Sequence, residues 1–134
     1  MIRATLGALA LSLAFASPTV GQELAAGGTW ANTRGSTLTI DSVQPDGAIA
    51  GTYVNRAPGF ACQGTPFPAA GWVNGDKISF SVDWRNQAED CNSITSWVGY
   101  LSAGRIVTNW DLVYTDATEQ RPMFQRGSDL FTPQ

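Results

Sequence analysis

The side chains that could do chemistry here fall into two sets. Some are polar groups suited to hold a ligand by hydrogen bonds, and others are flat rings suited to wrap one. Five tryptophans, Trp30, Trp72, Trp84, Trp97 and Trp110, occur in 134 residues, and there is no histidine. The missing imidazole removes the commonest general base near neutral pH. Asp129 has no second acid paired with it by spacing, and there is no Gly-x-Ser-x-Gly nucleophile motif. The chemistry on offer is binding without turnover. Two cysteines without a histidine do not make a zinc or haem site, so no metal and no cofactor is expected.

Spacing groups these residues. Successive side chains of a strand alternate faces, so residues two apart share one. Ser93, Thr95 and Trp97 share a face, as do Tyr53 and Asn55, Trp110 and Leu112, and Phe80, Val82 and Trp84. The inner face of a small barrel should be mostly aliphatic; this one interleaves hydroxyls and amides with indoles. Buried polar groups need partners, which are either one another or a polar ligand. Asn32 and Ser36 bracket Gly35, where turn chemistry alone would favour both. Asp129 precedes Leu130-Phe131. An acid in a strand usually faces solvent, and Asp129 matters only if the fold turns it inward beside Asn32.

The elements that must position these residues are strands. Ile78-Ser79-Phe80-Ser81-Val82-Asp83-Trp84 alternates apolar and polar without a break, and Thr37-Leu38-Thr39-Ile40 does the same. Pro45-Asp46-Gly47 marks a turn, Asn74-Gly75 a type I′ hairpin, and Ala103-Gly104 another break. No stretch has a helical period. Eight strands are expected near 28–33, 36–43, 48–55, 67–73, 76–84, 94–103, 105–115 and 127–132, with 116–126 as a loop. The expected fold is all-β, an eight-stranded antiparallel up-and-down barrel able to hold one small ligand in its mouth. A β-sandwich is the competing architecture.

The first residues are set apart. Arg3, the apolar run Leu6 to Phe15 and the small residues Ala14-Phe15-Ala16 read as a secretory signal peptide over 1–21, cleaved near Ala16 or Gly21. Residues 22–134 are then one domain, secreted or periplasmic. Loss of Arg3 takes the net charge from −3 to −4. An acidic chain with one lysine and no basic cluster is a poor partner for nucleic acid or an anionic membrane surface. In an oxidising compartment Cys62 and Cys91 are expected to form a disulfide.

In order along the chain, these segments resemble the avidin and streptavidin family. Gly28-Thr29-Trp30-Ala31-Asn32 and Gly35-Ser36-Thr37 match its first two strands, Gly51-Thr52-Tyr53 the third, and Val82-Asp83-Trp84 with Asn86 the fifth. Ser93-Ile94-Thr95-Ser96-Trp97 matches the sixth, Trp110 with Leu112 the seventh, and Asp129-Leu130-Phe131 the eighth. Each match alone is weak, and Gly-x-Trp also opens lipocalins; in register they are specific. Tyr53-Val54-Asn55-Arg56-Ala57, Asn92-Ser93 after Cys91, and the cysteine pair itself resemble the short dimeric, rhizavidin-like avidins of bacteria.

The resemblance implies biotin as ligand, held with high affinity and released unchanged. It implies that Asn32, Ser36 and Tyr53 donate to the ureido oxygen, while Asp129 and Asn55 accept from the ureido N–H groups. Thr95 meets the ring sulfur, Ser93 the valeryl carboxylate, and Trp84, Trp97 and Trp110 wrap the apolar body; Ala57 and Gly59 belong to the same wall. The Cys62–Cys91 bridge would join the loop after the third strand to the loop before the sixth, at the pocket mouth. Three departures stand out. Pro58 has no N–H, so a backbone donor for the carboxylate must be Gly59 or Phe60, or be absent. No tryptophan lies between Asp111 and Asp129, where tetrameric members carry one that reaches a neighbouring subunit, which implies a homodimer. Asn55 replaces a hydroxyl common in tetrameric members. The alternatives are a lipocalin-like carrier of another apolar molecule, or a carbohydrate-binding sandwich with Trp84, Trp97 and Trp110 on an outer face.

Overall fold

The computed structural model describes residues 24–134; the expected signal peptide lies outside the described residues. Eight strands run in chain order: β1 Thr29–Asn32, β2 Thr37–Val43, β3 Ala48–Val54, β4 Pro66–Asn74, β5 Lys77–Trp84, β6 Ser93–Ser102, β7 Arg105–Thr115 and β8 Pro122–Pro133. Each pairs antiparallel with the next, and β8 closes on β1, with Asn32 opposite Phe131. The barrel therefore has no free edge, and the sandwich alternative is overturned.

Alternation explains the interior. In β5, Ile78, Phe80, Val82 and Trp84 are buried, while Ser79, Ser81 and Asp83 face outward. Leu38, Ile40, Phe80, Val82, Ile106 and Phe131 fill one end of the barrel and are almost wholly inaccessible. Trp30 is buried with them, as core. Trp72 points outward and is 55% exposed. Trp84, Trp97 and Trp110 are all buried, which removes the outer stacking platform that a carbohydrate module needs.

Two expectations need correction. Residues 116–126 are not wholly loop: β8 begins at Pro122, and Thr115, Tyr114 and Val113 pair with Pro122, Met123 and Phe124. The charges and the proline misled because this end of β8 faces solvent, where charge is tolerated, and a proline can stand first in a strand. The β4–β5 turn is Gly75–Asp76 rather than Asn74–Gly75, since Asn74 still pairs with Lys77. Only its first residue, Gly75, has a positive φ, which is the type II′ pattern. Ala103–Gly104, with φ of 49° and 72°, provides the type I′ hairpin.

Candidate functional site

The other end of the barrel opens into a cavity of about 430 Å³, within the usual range for a small-ligand site. Its polar groups are held from behind. At the β1–β2 turn the chain reverses through Gly35, whose φ of 89° suits glycine. Asn32 Oδ1 accepts from the backbone N–H groups of Arg34 (3.0 Å) and Ser36 (2.9 Å). Its amide is thereby oriented, with Nδ2 left as an unengaged donor among the described residues. Ser36 Oγ accepts from Arg56 N at 2.9 Å and donates to Asn55 Oδ1 at 3.3 Å. Asn55 Oδ1 also accepts from Ala57 N (3.0 Å), and its Nδ2 donates to Ala61 O (3.0 Å). Thr95 Oγ1 accepts from Trp84 Nε1 at 2.9 Å, so its own proton remains available.

Asp129 is the singular group. It sits opposite Thr108 on β7 and is 8% exposed. Trp97 Nε1 donates to Asp129 Oδ2 at 2.9 Å, but Oδ1 is buried with no partner among the described residues. An orphaned buried acceptor costs about 1–3 kcal/mol, more when charged. Tyr53 is its neighbour. Burial pushes the Tyr53 phenol well above its ordinary range; the Ser36 hydroxyl opposes this, the Asp129 charge adds to it, and Arg34 opposes it. The phenol therefore keeps its proton and stays a donor.

Aromatic rings wall the cavity. Tyr53 lies 4.8 Å from Trp97 and 5.8 Å from Trp84, and Phe67 packs edge-on against Trp84 at 4.9 Å. Trp110 forms the opposite wall, with Phe60 edge-on at 6.4 Å. Its indole lies across Gly127, its partner in β8, where a Cβ would fall 2.3 Å from the ring. Glycine is required there because the ring occupies the side-chain position.

The loops at the mouth are bound to each other. Cys62 and Cys91 form the disulfide, with Cα atoms 6.0 Å apart, joining the β3–β4 and β5–β6 loops. Within the β3–β4 loop, Gln63 Nε2 donates to the carbonyls of Ala57 and Phe60, each at 3.0 Å, and Gly64 N donates to Asn55 O. Phe60 N is engaged by Ala57 O at 3.4 Å, which leaves Gly59 N–H as the open donor of the two considered above. Ser93 Oγ donates to Cys91 O at 2.7 Å.

Every expected site residue except Ser36 lines the cavity: Asn32, Tyr53, Asn55, Ala57, Gly59, Trp84, Ser93, Thr95, Trp97, Trp110 and Asp129. Ser36 is fully buried behind Asn55 and is not on the wall, because the tight turn aims its hydroxyl at the start of the β3–β4 loop. Sequence reasoning missed Arg34, Asp90, Tyr114 and Gln125 on the wall, and Gln63 and Gly127 behind it. Parity from Trp110 and Leu112 reaches Tyr114, and Arg34 lies between Asn32 and Ser36. Gln125 was hidden in the stretch read as loop, and nothing local marks Gln63.

A family model described as the avidin family matches residues 20–134. The chain belongs to the avidin family. Afifavidin from Afifella pfennigii is 39% identical over 141 residues, covering 93% of this chain and 87% of that protein. The structure of a bradavidin2–biotin complex is similar at 43% identity and a TM-score of 0.74, covering 83% of this chain and 99% of that one. A rhizavidin–biotin complex is similar at 42% identity and a TM-score of 0.75, covering 82% and 92%. The closed eight-stranded antiparallel barrel is thus that of an avidin.

Proposed function

We propose that this avidin binds biotin tightly, unchanged, in the open end of its barrel. The observation that carries this reading is Asp129 Oδ1, a buried acceptor without a partner among the described residues, in a cavity whose other polar groups are already oriented. A cyclic urea is complementary: its oxygen seeks donors and its N–H groups seek acceptors. Asn32 Nδ2 and the Tyr53 hydroxyl donate to the ureido oxygen, and Ser36 joins them by giving up its long bond to Asn55. Asp129 Oδ1 and Asn55 Oδ1 accept from the N–H groups. Donors at one end and a carboxylate at the other polarise the urea in one direction, and apart from the Ser36 hydroxyl, which turns from Asn55, the groups need no reorientation on binding. Thr95 faces the ring sulfur, the tryptophans cover the apolar body, and Gly59 N–H reaches the tail. Solved biotin complexes of similar avidins support the assignment.

The same reading extends to assembly and export. The outer face of β4–β8 exposes Trp72, Ile94, Val98, Tyr100 and Phe124, each at least half accessible. Val98 lies opposite both Ser79 and Asn109 in the sheet, near the middle of this band. Apolar area of this kind marks an interface, and its occupant here is a second copy of the chain. Residues 1–21 act as the signal peptide that delivers the chain to the oxidising compartment its disulfide needs.

Saturating biotin should quench or shift tryptophan fluorescence and raise Tm markedly, because ligand bound only to the native state stabilises it; no change in either contradicts the reading. In the same titration Asp129→Ala should weaken binding roughly ten- to hundredfold and Ser93→Ala a few-fold at most, because Asp129 Oδ1 faces a ureido N–H whereas the Ser93 proton is already given to Cys91 O. Equal losses count against the assigned roles. Reduction of Cys62–Cys91 should speed biotin release, since ordering two mouth loops in advance lowers the entropy lost on binding; an unchanged off-rate removes that role. By light scattering the protein should have the mass of a dimer and Val98→Asp that of a monomer, whereas a monomeric unaltered protein or a dimeric variant overturns the proposed interface.

A further inference from the structure

The mouth of the cavity is electrically lopsided. Arg34 lines one side, with its guanidinium carbon 6.0 Å from the centre of the Trp110 ring. Arg56 is exposed and lies against the same turn, its Cβ 3.8 Å from where a Cβ on Gly35 would sit. Neither arginine forms a salt bridge among the described residues. The other arginines near this end are held: Arg85 by Asp83, Arg121 by Glu119 and Arg126 by Asp111. The facing side offers a carboxylate no equal partner. Asp90 lines it, with Oδ1 turned to its own loop to accept from Asn92 N and Nδ2. The Ser93 hydroxyl spends its proton on Cys91 O and presents only lone pairs to the cavity.

We propose that Arg34, supported by the charge of Arg56, is a specificity determinant for the ligand's tail, selecting chains that end in a free carboxylate over chains closed as a neutral amide. This inference rests on the biotin reading above and moves the charged end of the tail away from Ser93. The Arg34 guanidinium lies over the Trp110 ring at cation–π distance, and its fork matches a carboxylate in a way no single hydroxyl can. The chain carries a net charge of −3, which disfavours the approach of an anion. Arg34 at the mouth, with Arg56 against the same turn, offsets that on one side of the cavity, within a Debye length of about 8–10 Å, while Asp90 stands on the other. Arg34 is exposed, so the discrimination is modest, roughly two- to fivefold, as for an accessible ion pair.

The test compares biotin with biotinamide, which keeps the head and loses the charge. Affinities for both are measured on the full protein, R34Q and R34K, at low and high salt. The ratio of biotin to biotinamide affinity should fall two- to fivefold in R34Q, fall less in R34K, which keeps the charge without the fork, and shrink with added salt in the unaltered protein. A ratio that is the same in R34Q as in the unaltered protein, with both ligands still bound, overturns this inference alone. Failure of the unaltered protein to bind either ligand overturns the biotin reading, and this inference with it.

Discussion

A buried carboxylate with one oxygen satisfied and the other open is the constraint on which the rest of the architecture depends. Keeping Asp129 out of water is costly wherever one of its oxygens lacks a partner. Trp97 Nε1 faces one, and that bond ties β6 to β8 across the barrel interior. The register of β7 against β8 sets Asp129 opposite Thr108, whose hydroxyl donates to the Asp129 carbonyl at 3.3 Å. A shift of one residue would turn the acid out to solvent and bring its neighbours in. The closed end supports this placement: Phe80 stacks on Trp97 at 4.8 Å with planes 11° apart. That contact holds the indole whose N–H serves Asp129.

The remaining polar groups follow one pattern. Asn32, Asn55 and Thr95 are each held by bonds within the protein and still line the cavity, whereas the Ser36 hydroxyl must turn from Asn55 to reach a ligand. Backbone amides of its own turn hold Asn32, the β3–β4 loop holds Asn55, and an indole holds Thr95. Groups fixed in this way lose little freedom when a ligand arrives, so more of the contact energy appears as affinity. The disulfide and Gln63 extend the pattern to the mouth, where loops would otherwise be the least ordered part of the site. Trp110 depends on Gly127 in the same sense, because only a residue without a side chain leaves room for the ring.

Much of this was legible in the sequence because a strand's period of two is a strong signal. Phe80, Val82 and Trp84 on one face, and Ser93, Thr95 and Trp97 on another, followed from alternation alone and stand as expected. Barrel closure was less direct; it rested on eight short strands joined by short loops. What alternation could not reach was anything set by a turn or a loop. Ser36 lies behind the wall rather than on it because the Gly35 turn directs its hydroxyl to Asn55 and Arg56. Gln63 acts through two carbonyls in an irregular segment, where no periodicity applies. The start of β8 was hidden because Pro122 and the charges around it satisfy solvent, not the core.

The central claim is that the site is built before its ligand arrives. A crystal structure of the biotin complex tests this most directly. The account predicts one ureido N–H within hydrogen-bonding distance of Asp129 Oδ1, the Trp97–Asp129 bond intact, and Asn32, Tyr53, Asn55 and Thr95 in the rotamers described above. Biotin bound elsewhere, or bound here only after those side chains rearrange, would contradict it.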